Sequence, residues 1–241
     1  MVQSLGVNRM EAKDKIVIAL DVDSAEKAKE LVSELKDYVG VYKINSLFNE
    51  EGPSIVKEIV DNGGKVFLDL KYHDIPNTVA NYAKAAAKMG VFMFNVHATG
   101  GFEMMKAAAD AVKESEHKPL VLAVTVLTSI DQEALKNELN VNISVEEQVV
   151  SLAKLAKKAG MDGVVCSPKE IKLIREACGE DFVIVTPGIR TAWAATGDQK
   201  RITTPKDAVE AGSNFLVIGR PIVKAENRIE AAKKILKEIE E

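Results

Sequence analysis

Cysteine is scarce in this chain of 241 residues, which contains only Cys166 and Cys178. Two plainly placed thiols exclude a disulfide framework or a cysteine-based zinc site, and they read as reduced thiols of a cytosolic protein. An excess of charge is missing too. A formal net charge of -4 argues against nucleic acid or an anionic membrane as the main partner, while leaving room for a local basic pocket. No apolar run is long enough to span a bilayer, and the opening "MVQSLGVNRMEAKDK" has no apolar leader core. A soluble, cytoplasmic protein is the expectation. Linkers, repeats of fixed period and low-complexity tracts are also lacking. One domain is therefore expected, with residues 1–14 as an N-terminal extension, and a 46% hydrophobic composition supplies ample core material.

What the chain does contain is alternation. Short apolar, β-branched runs recur as "KIVIALD", "VGVYKIN", "KVFLDLK", "FMFNVHA", "PLVLAVTVL", "GVVCS", "FVIVTPG" and "FLVIGR", each followed by a helix-like segment. Ala28, Leu31 and Leu35 keep helical spacing after the first run, and Ile229, Ala232, Leu236 and Ile239 do so after the last. Ser144 with Glu147 and Ser167 with Glu170 have the spacing of capping boxes, the second with Pro168 at the first helical position. Continuous apolar strands imply burial on both faces, hence a parallel sheet. About eight strand–helix units in a chain of this length match an α/β fold of the (β/α)8 barrel type. A doubly wound open sheet is the rival, but the first turn, "ALDVDSAEK", has no glycine to approach a dinucleotide.

In such a barrel the C-terminal strand ends form the active face. Those ends read Asp21, Lys43, Asp69, Lys71, His97, Thr128, Ser167, Pro187-Gly188 and Gly219-Arg220. The densest stretch is "DLKYHDIPNT". Asp69 and Lys71 lie two apart on a strand and share a face with Phe67, while Leu68 and Leu70 turn to the helices. Asp74 follows, Pro76 can begin the next helix, and Lys43 approaches from the neighbouring strand. These acids and ammonium groups can offset one another's desolvation, either as chemistry or as a salt-bridge network closing the barrel mouth. "FLVIGRPI" places an arginine beside a glycine that lets backbone N–H groups approach an anion, at the eighth strand end where phosphate commonly binds in barrels. Before it runs a long loop, "TPGIRTAWAATGDQKRITTP", with Arg190, Gln199, Lys200 and Arg201, of the kind that often acts as a lid.

These motifs resemble the orotidine 5'-monophosphate decarboxylase family in its short bacterial form. "LDLKYHDIPNT" is similar to the family's D-x-K-x-x-D-I-P-N-T signature, "TPGIR" and "GDQKR" to its phosphate-closing loop, and "VIGRPI" to its phosphate-gripping end. The resemblance runs from about Lys15 to the last helix. It implies loss of CO2 from orotidine 5'-monophosphate to give UMP, the last step of de novo pyrimidine synthesis, without metal or organic cofactor. Lys71 is then the proton donor to C6, and Asp69 lies near the departing carboxylate. Lys43 and Asp74 complete the charge array and, with Asp21, bind the ribose. Ile75 belongs to the extended signature and joins the substrate-binding set. Thr128 contacts the pyrimidine, and Gln199, Arg190, Arg220 and the Gly219 N–H hold phosphate. A homodimer is implied, with Asp74 and Thr78 reaching the neighbouring active site. The chain departs from the pattern at "KINSLFNEEGP", where Asn45 replaces a glycine and one residue fewer precedes "EGP", and at Tyr72, which replaces an aliphatic residue or phenylalanine.

Two other readings accompany this one. A related barrel acting as a Mg²⁺-dependent sugar-phosphate decarboxylase or aldolase would use Asp69, Asp74 and His97 as ligands, although the Lys71 ammonium competes for those carboxylates. Otherwise His97 is a hydrogen-bonding group behind the site. A nucleotide-binding protein without turnover is the second alternative, against which the intact Asp69, Lys71 and Asp74 set argues. His73, His117, Trp193 and the lysine-rich last helix carry no assigned chemistry.

Overall fold

The structure is a computed structural model that describes residues 10–191, 193 and 203–241. Eight parallel strands, β1 (Ile16–Ala19), β2 (Val41–Ile44), β3 (Lys65–Tyr72), β4 (Met93–His97), β5 (Leu120–Val124), β6 (Gly163–Val165), β7 (Val183–Thr186) and β8 (Phe215–Ile218), close into a barrel in sequence order. Each apolar run of the sequence supplies one strand. Closure comes from β1 and β8, which pair through Ile16 with Leu216, Val17 with Val217 and Ile18 with Ile218.

The period-two alternation of each strand divides the core into two parts. Val17, Val41, Phe67, Met93, Leu122, Val185, Phe215 and Val217 fill the barrel interior. Ile16, Ile18, Tyr42, Ile44, Val66, Leu68 and Phe94 face the helices instead. Leu68 and Leu70 turn outward as their parity requires, Leu70 being half-buried against the outer core. Met10 and Phe92 pack against the inner cluster, and Phe92 meets Phe215 edge-on at 5.9 Å between ring centroids. The boundary expected at residue 14 falls inside a short helix, Ala12–Lys15, which is tied to the barrel because the Gly40 N–H donates to the Lys13 carbonyl at 2.9 Å.

The helices start where the capping spacing places them. Ser144 and Glu147 form a reciprocal capping box at the head of helix Val145–Lys158. Ser167 and Glu170 form another, around a 3-10 turn (Pro168–Glu170) that leads into helix Ile171–Cys178. Ala28, Leu31 and Leu35 are buried. On the last helix, Arg228–Glu240, the buried stripe is Ala231, Ala232 and Ile235, while Ile229, Leu236 and Ile239 flank it half-buried. The stripe is thus rotated toward Ile235, which a helix packed obliquely between two neighbours allows.

Close packing also constrains β6. A side chain at Gly163 would place its Cβ 2.1 Å from the Val183 carbonyl oxygen of β7. Among the described residues no helix is long and apolar enough to cross a membrane.

Candidate active site

The inner wall of the barrel changes character at one level. Phe67 is part of the apolar interior, and the next inward residue of β3 is Asp69, only 7% exposed. A carboxylate buried this deeply needs partners. The Lys71 ammonium donates to its Oδ1 at 2.7 Å, and the Lys43 ammonium lies 3.2 Å from its Oδ2. Asn95 on β4 donates to Oδ1 at 2.7 Å from its side-chain Nδ2. Lys43 also lies 3.9 Å from Asp21, which is largely exposed beyond β1. Two ammonium groups around one buried carboxylate leave the floor of the site net positive, with Asp21 solvated at its edge. That balance favours an anionic ligand.

Lys71 is placed by an irregularity. Leu68 pairs with Phe94 and Tyr72 with Val96, so three residues of β3 stand opposite one residue of β4. Lys71 takes φ of 51° within this bulge. Simple alternation puts Lys71 and Asp69 on one face, and they do meet; the bulge is what re-aims the lysine, as bulges beside functional sites often do.

Two adjoining cavities share Lys43 and Val217. One, of about 230 Å³, is lined by Phe67, Asp69, Lys71, Val126, Leu127, Thr128, Cys166 and Pro187, an apolar slot with charges at its floor. The other, of about 480 Å³, is lined by Asp21, Gly188, Ile189, Arg190, Gly219, Arg220 and Pro221. Gly188 adopts φ of 76°, which the turn after β7 requires and other residues resist. The Arg190 N–H donates to the Thr203 carbonyl at 3.2 Å, anchoring the chain where Arg190 meets the second cavity. The cleft thus joins a small apolar slot to a basic, glycine-edged lobe, suited to a largely apolar ring linked to an anion.

The structure brings together Asp21, Lys43, Asp69, Lys71, Thr128, Arg190, Gly219 and Arg220 around this cleft. Asp74 does not join the array within the chain. It is exposed, makes no ion pair among the described residues, and its Oδ1 accepts from the Ile75 N–H at 2.6 Å. Ile75 is 67% exposed. Thr78 is half-buried in helix Pro76–Lys88, which Pro76 begins as expected. Gln199, Lys200 and Arg201 lie outside the described residues.

The His97 side chain makes no hydrogen bond among the described residues and instead faces His73, with ring centroids 5.6 Å apart. Burial, then the neighbouring His73 and Lys71, holds its pKa below the ordinary histidine value. Asp69, Asp74 and His97 therefore do not converge. No cluster of three or more His, Cys, Asp or Glu among the described residues is placed to share a metal ion. Cys166 and Cys178 are free and buried, and burial pushes the Cys166 thiol well up. Asn45 adopts φ of -138°, outside the left-handed region, so the position tolerates a residue other than glycine; Lys43 keeps its place in β2.

Sequence reasoning missed Asn95, which is fully buried. A signal was present: within "FMFNVHA" it is the one polar residue between Met93 and His97, with the inward parity of Met93.

Residues 14–235 match the family model described as Orotidine 5'-phosphate decarboxylase / HUMPS family. The chain is 54% identical to orotidine 5'-phosphate decarboxylase of Syntrophomonas wolfei, over 96% of this chain and 100% of the relative. It is 51% identical to the enzyme of that name from Moorella thermoacetica, over 96% and 94% of the two chains. Among solved structures it is similar to orotidine 5'-phosphate decarboxylase from Lactobacillus acidophilus, with a TM-score of 0.84 and 44% identity, covering 95% of this chain and 100% of the other.

Proposed function

Because the chain belongs to the orotidine 5'-phosphate decarboxylase / HUMPS family, we infer that it removes CO2 from orotidine 5'-monophosphate to give UMP in pyrimidine biosynthesis, with Lys71 as the proton donor. The observation that carries this reading is the shared carboxylate: Lys71 and Lys43 both hold Asp69, at 2.7 and 3.2 Å, where the apolar slot meets the basic lobe.

The nucleotide lies along the cleft. Arg220, Arg190 and the Gly219 N–H take the phosphate, and Gln199 assists as the resemblance implies. Asp21 and Lys43 take ribose hydroxyls. The pyrimidine enters the slot beside Thr128, with C6 over Lys71 and the carboxylate toward Asp69. As the C6–carboxylate bond breaks, its electron pair stays on C6 and CO2 departs. The Lys71 ammonium, already oriented by Asp69, stabilises that carbanion and transfers a proton to C6. Lys71 then regains a proton from water. A fixed ammonium needs little reorganisation as negative charge develops, and phosphate binding far from C6 supplies energy for placing the ring.

The reaction uses no metal or organic cofactor in this reading. Both oxygens of Asp69 lie against ammonium or amide groups, and the two ammonium charges of Lys71 and Lys43 compete with Mg²⁺ for that carboxylate. The protein acts as a cytoplasmic homodimer in which Asp74 and Thr78, with the exposed Ile75 beside them, complete the neighbouring site. Asp74 is exposed and makes no ion pair among the described residues, which supports that assignment.

The test is to mix EDTA-treated protein with orotidine 5'-monophosphate and follow ultraviolet absorbance together with CO2 release. Rapid conversion to UMP is expected. A folded protein that needs Mg²⁺ and turns over only sugar phosphates would replace this reading with the metal-dependent one.

A further inference from the structure

We propose that Asn95 is the positioning residue of this site, its carboxamide setting both the Lys71 backbone and the Asp69 carboxylate and so placing the proton donor. The inference rests on the decarboxylase reading above.

Asn95 is fully buried and stands opposite the bulge of β3. There the regular ladder cannot serve the Lys71 N–H, and the Asn95 Oδ1 accepts from it at 2.8 Å. The Asn95 Nδ2 donates to the Asp69 Oδ1 at 2.7 Å. The orientation of the amide is forced, since a peptide N–H can only donate and an ionised carboxylate can only accept. One side chain therefore satisfies a donor and an acceptor belonging to the two residues on which the chemistry depends.

The Lys71 backbone needs such support. A non-glycine residue at φ of 51° is disfavoured and persists where its surroundings over-determine it. Asp69 is likewise held by three donors: Lys71 and Asn95 at Oδ1, and Lys43 at Oδ2. Without the carboxamide, the Lys71 N–H loses its partner and the Asp69 carboxylate keeps only its two lysine contacts. The ammonium then samples positions away from C6, and a misplacement of about 1 Å costs about 10²-fold in rate. Ligand binding through the basic lobe, remote from β4, is left intact.

Wild type, Asn95→Ala and Asn95→Asp are compared for turnover of orotidine 5'-monophosphate and for UMP affinity. Asn95→Ala is expected to lose about 10²-fold in kcat while UMP affinity stays within about threefold, a split that general loosening of the fold does not give. Asn95→Asp adds the readout that identifies positioning. An introduced carboxyl among Asp69, Lys43, Lys71 and His97 repels Asp69 when ionised, but when protonated it restores both hydrogen bonds. Its kcat relative to wild type should therefore rise as pH falls. Asn95→Ala with kcat within about threefold of wild type overturns the inference, as does an Asn95→Asp pH profile parallel to wild type. If the alanine variant does not fold, the aspartate profile decides. Absence of turnover by the wild type overturns the decarboxylase reading itself, which separates the two failures.

Discussion

Lys71 donates to Asp69 from only two residues further along the same strand, at 2.7 Å, and it does so from a backbone with φ of 51°. In a regular strand two such side chains stand in parallel. The bulge opposite Asn95 turns this pair into a preorganised ion pair, with the ammonium held at the boundary between buried carboxylate and open cleft.

Lys71→Ala removes the proposed proton donor. We expect kcat to fall by at least about 10⁴-fold, the combined effect of lost proton transfer and lost charge stabilisation. UMP affinity, measured by calorimetry, should change far less, because phosphate and ribose contacts remain. Turnover near the wild-type rate would remove Lys71 from its assigned role.

Arg220→Ala should act on the opposite end of the ligand. Loss of a charge-assisted contact to phosphate is expected to lower kcat/KM for orotidine 5'-monophosphate by about 10²-fold. Any turnover of the unphosphorylated nucleoside should be unaffected. An equal loss with both substrates would mean that Arg220 supports the fold rather than the phosphate.

The proposed contribution of a partner subunit can be tested by mixing two inactive variants. Lys71→Ala and Asp74→Ala, unfolded and refolded together, give hybrid dimers in which one site has both defects and the other has neither. About one quarter of wild-type activity should return on random association of two such chains. No recovery would place Asp74 in the site of its own chain.

Glu170 provides a pH-dependent stability term. Burial, opposed only in part by the hydrogen bond from the Ser167 N–H, raises its pKa from 4.5 to about 7. The folded state therefore binds more protons than the unfolded state between these values. Stability from this group is full below about pH 4.5, falls as pH rises to about 7 and is level above that. The loss is at most about 3 kcal/mol. Glu170→Gln keeps an acceptor for Ser167 and should flatten that part of the denaturation profile, with its gain over wild type greatest above pH 7.

Gly163→Ala should destabilise the barrel although it touches no part of the cleft. The added methyl would meet the Val183 carbonyl at 2.1 Å, and backbone cannot yield as a side chain does. A cost of about 1–3 kcal/mol or more is expected from such overpacking. Thermal unfolding checks it, and an unchanged Tm would show that β6 and β7 can separate without penalty.

The eightfold alternation, the strand identities, both capping boxes and most of the cleft residues are legible in the sequence, because strand parity and helix starts are local properties written in residue type and spacing. Lys43, Asp69, Thr128 and Arg220 are separated widely along the chain, yet each follows or ends an apolar run, and barrel topology carries all such ends to one face. Other features depend on what lies opposite. The bulge in β3 arises only from its pairing with β4, so neither the left-handed Lys71 nor the service that Asn95 performs for it follows from β3 alone. Asp74 is near Lys71 in sequence, but the chain turns into helix Pro76–Lys88 and leaves it exposed, with no ion pair to a described residue of its own chain. His97 reads as a hydrogen-bonding group, whereas packing sets it against the His73 ring. Local chemistry chose which residues reach the mouth of the barrel; register and packing between strands decided which of them touch.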